Sequence, residues 1–176
     1  GTSISDSSSA AAVGGGFTAV AGGLVGIAQD ASIARSFATG AVSAFGAAGG
    51  LVGSAEAPVT ISQSYATGAV SDSLSGAGGL IGIAVTDDTS AIAIDQSFAT
   101  GSTTSSNGPA GGLVGKSEQV GPVGLQQLVV TDSYASGTAT GRWAAGGIVG
   151  EADALRSPAV SLVRTYAVGL VDASDI

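Results

Sequence analysis

Two short blocks alternate five times along this chain, and nothing else in it constrains the fold so strongly. The first reads Ala21-Gly22-Gly23-Leu24-Val25-Gly26 and returns at 48–53, 77–82, 110–115 and 145–150. The second reads Ser36-Phe37-Ala38-Thr39-Gly40 and returns at 64–68, 97–101, 133–137 and 165–169. From the glycine closing the second block to the alanine opening the next first block there are 8, 9, 9 and 8 residues. From the first glycine of the first block to the aromatic there are 15, 16, 20, 23 and 20. One connection is therefore a fixed corner and the other a loop free to lengthen, so insertions emerge on one side of a stack. The units are 21–47, 48–76, 77–109, 110–144 and 145–176. They follow a degenerate half-repeat, 1–20, in which residues 4–13 match 61–70 with Ser8 in the aromatic slot. The whole reads as one repeat domain.

The side chains are small: Ala, Gly, Ser and Thr make up 101 of 176 residues. Such a chain cannot fill a wide core and has to bring its backbones close together. Gly pairs in every repeat, with Val, Ile, Thr and aromatic residues alternating with small ones, argue against helix. Strands are expected over 24–28 and 32–43 and their equivalents. An apolar residue lies four before each aromatic (Ile33, Ile61, Ile94, Val130, Leu162) and a polar one lies two before (Arg35, Gln63, Gln96, Asp132, Arg164). Apolar, polar and aromatic side chains at one parity predict a bend or bulge between them, with the direction of the aromatic left open. One object accommodates these features: an all-β solenoid, one coil per repeat, in which equivalent residues form ladders at the inter-strand spacing. The first-block glycines Gly23, Gly50, Gly79, Gly112 and Gly147 are read as serving corners with positive φ and close coil packing. A sandwich of hairpins explains the alternation but not the one-sided insertions.

At these blocks the chain resembles the GLUG repeat of bacterial cell-surface and secreted proteins, which include adhesins and some IgA-cleaving metallopeptidases. The resemblance implies a surface-exposed structural module. One departure stands out. The family often has Asn before the Ser, where this chain has Arg35, Gln63, Gln96, Asp132 and Arg164, so an asparagine ladder is not expected.

Composition removes several chemistries. Without Cys there is no disulfide frame, thiolate nucleophile or cysteine zinc site, and without His the usual general base is missing. A His-Glu-x-x-His metallopeptidase motif is therefore excluded, and the chain is expected not to be an enzyme and to need no cofactor. A net charge of −8 argues against nucleic acid and anionic lipid surfaces. The uncharged stretches 7–29 and 36–55 are too rich in Gly and Ser for membrane insertion.

Candidate sites are few. Residues 111–117 imitate a phosphate-binding loop with Lys116, but Ala110 stands where that motif needs Gly. Asp87, Asp88 and Asp95 are weak calcium candidates within an insertion, where a solvated loop is the simpler reading. The column Thr39, Thr67, Thr100 and Ser136 suggests ranked hydroxyls for ice, though Val168 breaks it. The column Phe37, Tyr65, Phe98, Tyr134 and Tyr166 is read as stacked packing, or as a sugar platform if exposed. Trp143 breaks the small-residue habit of the last corner and is a contact candidate. The expected role is a structural or adhesive module, extracellular or on the cell surface. The alternatives are a subunit that self-assembles end to end and a binder of ice, glycan or calcium.

Overall fold

The computed structural model describes residues 1–17, 19–87, 89–120, 127–153 and 159–173, and among them there is no helix. The chain is a β-solenoid of about five turns, built from parallel sheets. Each coil passes through four sheets in the same order. In the first full coil these are a glycine sheet (Ala21–Gly22), a long sheet (Val25–Ala34), an aromatic sheet (Phe37–Ala38) and a hydroxyl sheet (Val42–Ala44).

Pairing joins equivalent residues of successive coils. Ala48 lies between Ala21 and Ala77, and Ile61 between Ile33 and Ile94. Tyr65 lies between Phe37 and Phe98, and Val70 between Val42 and Thr103. Below the first full coil, Thr2–Ser5, Ser8–Ser9 and Val13–Gly14 make a partial coil that places Ile4 under Ile33 and Ser8 under Phe37.

The small composition is explained at the corner into the long sheet. A Cβ on Gly79 would lie 2.1 Å from the Gly112 carbonyl oxygen and 2.6 Å from Ala99 Cβ, so only glycine fits there. Gly23, Gly50 and Gly112 are equally tight against the next coil, and Gly147 meets Ala167. Positive φ is not their role. The left-handed residues of the repeat are Asp6, Arg35, Gln63, Gln96, Asp132 and Arg164, at φ of 47–51°. The glycines are required by close approach alone, and the corners at 24, 51, 80 and 113 are each closed by one carbonyl of the next coil that accepts two N–H groups. The Leu80 carbonyl takes Leu51 N at 3.0 Å and Val52 N at 2.9 Å, and the Leu113 carbonyl takes Leu80 N and Ile81 N.

The interior is narrow and has two parts. Ile33, Ile61, Ile94, Leu51, Leu80 and Leu113 fill the side lined by the long sheet. Val42, Val70, Ala48, Ala77 and Ala110 fill the thinner side between the hydroxyl and glycine sheets.

The expected strand limits need revision. In the first two full coils the long strand does not break at residue 28; Val25–Ala34 and Val52–Ser62 are each continuous, with a register shift between Gln29 and Ala31. The expected strand 32–43 is instead cut in three, by the left-handed residue at 35 and the corner at Gly40. The insertions do emerge at one place, within the long sheet. In the third coil it splits into Ile81–Thr86 and Ile92–Asp95, and in the next into Val114–Gln119 and Gln127–Thr131.

Candidate functional site

The left-handed column follows from the bend that parity requires between the buried Ile33 and the outward Phe37. An αL residue turns the chain there, leaving its own side chain exposed beside its counterparts. Its members pair two by two. Arg35 donates to both carboxylate oxygens of Asp6 at 2.8 and 2.7 Å, and Gln63 Nε2 donates to Gln96 Oε1 at 3.1 Å. Arg164 donates to Asp132 at 2.5 and 2.6 Å. The guanidinium hydrogen bonds hold the Asp6 and Asp132 carboxyls below the ordinary range. Three complementary pairs thus make up this column.

The next residue forms a buried hydroxyl ladder that the sequence reading missed. Ser36 N donates to Ser64 Oγ, Ser64 N to Ser97 Oγ and Ser97 N to Ser133 Oγ, each at 3.1 Å. Each of these hydroxyls donates in turn to the carbonyl two residues earlier, as Ser64 Oγ does to Ser62 at 2.8 Å. Recurrence of Ser before the aromatic was the available signal.

Ala38, Ala66, Ala99 and Ala135 point inward, so the aromatics point out. Their rings stack face to face, with centroids 4.8, 4.8, 5.0 and 5.1 Å apart and interplanar angles of 1–6°. Stacking of this kind turns ring edges to solvent and covers the inner faces with neighbouring rings. Sugar stacking along the column therefore has no ring face to use, apart from the outer faces of the end rings, Phe37 and Tyr166. Beside the column, Thr39, Thr67, Thr100 and Ser136 are exposed.

The acidic candidates are not brought together by the fold. The Asp87 carboxylate closes its own turn, accepting from Thr89 N and Ser90 N at 2.7 Å and from Thr89 Oγ1 at 3.0 Å. The Thr89 N–H bond, aided by the others, lowers its pKa. Asp95 accepts from Thr131 Oγ1 on the next coil, and Asp88 lies outside the described residues. Among the described residues no three His, Cys, Asp or Glu side chains are placed to hold a metal ion. The phosphate-loop imitation runs from the end of the strand Ala110–Gly111 through the corner at 112–113 into the strand Val114–Gln119, with Lys116 directed to carboxylates.

A different grouping forms a cleft of about 350 Å³. Stacking of the long sheet sets Ile83, Lys116 and Glu151 in one column. Corner residues that close the units 48–76, 77–109 and 110–144, namely Leu74, Pro109 and Trp143, make the opposing wall. Lys116 Nζ lies 3.3 Å from Glu118 Oε2 and 3.9 Å from Glu151 Oε1. Trp143 Nε1 donates to Glu151 Oε2 at 3.3 Å, and its indole is 58% exposed. The positions after each first-block glycine (Ile27, Ser54, Ile83, Lys116, Glu151) read as freely variable in sequence; only stacking shows that three of them share one site.

No family model matches the chain, and no curated protein or solved structure is significantly similar to it.

Proposed function

We propose that this chain is a non-catalytic structural and adhesive module of a bacterial extracellular or cell-surface protein. One observation carries the reading: the division of labour between frame and surface. Serine hydroxyls, corner glycines and stacked rings spend their chemistry on the neighbouring coil. Variation in length and charge falls on outward columns and on insertions from one sheet. This arrangement suits a rigid rod that presents contact groups. The resemblance to the GLUG repeat, the acidic surface and the lack of Cys agree with an exposed location. Beads coated with the chain should be retained under flow on polysaccharide films or epithelial layers above albumin-coated controls. Equal retention on every surface would remove the adhesive role.

A further inference from the structure

We propose that the cleft of Trp143, Lys116, Glu118 and Glu151 is a binding subsite for one residue of a neutral glycan. The proposal rests on the adhesive reading above and gives it a ligand class.

The wall and floor differ in chemistry. Trp143 and Leu74 offer exposed apolar surface, 58% and 49% accessible, beside Pro109 and Ile83. Among the described residues no other ring stacks on the indole. A pyranose has the matching character: C–H groups on its ring faces and hydroxyls at its rim. Apolar walls with a few convergent polar groups are the usual make-up of a small-molecule site.

The polar floor selects for neutrality. Lys116 lies between two carboxylates and partly neutralises both, so neither a cation nor an anion finds an unopposed partner. Each carboxylate nevertheless accepts more than one hydrogen bond, and the ammonium has three donors. Sugar hydroxyls, which donate and accept, satisfy both kinds of group. Charge-assisted bonds of this type are stronger than neutral ones. An acidic sugar would meet two glutamates on a chain of net charge −8. A quaternary ammonium suits the indole but meets the Lys116 ammonium.

Position supports the assignment. The groups come from four successive repeat units, 48–76 to 145–176, so the site exists only when the coils stack, and it lies on the outside of the rod.

Trp143 is the only tryptophan, so its emission reports on this cleft alone. The intact chain should be titrated with neutral oligosaccharides of hexose and N-acetylhexosamine units, and the same set printed as an array. At least one should shift the emission saturably and bind on the array. Trp143→Ala should abolish array binding while leaving the circular dichroism unchanged. Trp143→Phe should retain part of it, and Glu151→Gln should weaken it about tenfold. Binding that survives in Trp143→Ala, binding to acidic sugars only, or no binding by any neutral member would each overturn the proposal. Coated beads separate the two readings: adhesion that persists in Trp143→Ala removes the glycan subsite but leaves the adhesive role, whereas no adhesion by the parent removes both.

Discussion

Asp72 is the residue whose environment is least ordinary. It is 2% exposed; one carboxylate oxygen accepts from Leu74 N, Gly76 N and Ser105 Oγ at 2.8–3.0 Å, and the other has no protein partner. Burial raises its pKa, and the hydrogen bonds offset that only in part. A carboxyl with a raised folded pKa binds its proton more tightly in the folded state. Its contribution to stability is therefore full below the unfolded value of 3.8 and is lost as pH rises through the raised one. Asp72→Asn keeps an acceptor for the three donors and removes the charge. The melting temperature of this variant relative to the parent should be most favourable near neutral pH and decline as pH falls towards 4. A difference that moves the other way would mean the ionised form is the better fit. Asp6 and Asp132 act in the opposite sense, since their lowered pKa values stabilise above 3.8 and lose that effect as pH falls through them. At this scale the sequence showed which columns exist but not which way they face. Phe37 and Ala38 are adjacent and both apolar, so alternation alone could not choose between them. The fixed interior positions of Ile33 and Ala38 on either side of a left-handed residue decide it.

Between residue and molecule stands the corner, where equivalence in sequence and equivalence in space part company. Gly26 and Gly82 hold the same place in the first block. A Cβ on Gly82 would lie 2.6 Å from the Gly53 carbonyl oxygen and 2.8 Å from Ala48 backbone atoms, whereas one on Gly26 would meet only the Val20 oxygen at 3.7 Å. Gly82→Ala and Gly79→Val should therefore unfold the chain or lower its stability by more than about 4 kcal/mol, while Gly26→Ala should stay within about 0.5 kcal/mol. Thermal melts followed by circular dichroism will separate these outcomes; equal tolerance at all three would contradict tight coil packing. The loops carry a related lesson. Spacing placed the insertions in the right connection but made them too long. The length differences between repeats point to loops at 85–92 and 118–128, but Thr86, Ile92 and Leu128 within them are buried strand residues. Their apolar periodicity was visible, but a length difference between repeats does not say which flanking residues still pair. The middle of the second loop, 121–126, lies outside the described residues.

For the whole molecule, stacking makes each coil depend on its neighbours alone, so stability is graded along the axis. Coils in the middle bury their interior completely, with Leu51, Ile81, Ile94 and Leu113 at 0% exposure. In the last described coil the equivalent Ile148 and Val149 are only partly buried, Leu162 is 45% exposed, and Tyr166 is 57% exposed although it stacks on Tyr134. Hydrogen exchange should be slowest for amides of 48–115 and fastest for 159–173, with a gradual change between. Uniform protection would instead indicate one cooperative unit. The repeat architecture was readable because a solenoid writes its period directly into the sequence. The cleft was not, because Leu74, Lys116 and Trp143 are distant in the chain and meet only through the vertical register.

The left-handed column has one more consequence, for how a chain like this can grow. The backbone repeats every coil, but the side chains of this column match in twos: Asp6 with Arg35, Gln63 with Gln96, Asp132 with Arg164. Removing the unit that carries Gln63 would strand Gln96 between two ions that already have partners. Removing the units of both Gln63 and Gln96 would bring Arg35 against Asp132 and leave alternating charge throughout. Losses that take both members of a pair together therefore leave the remaining matches intact, and steps that separate a pair leave a widow that a later substitution has to mend.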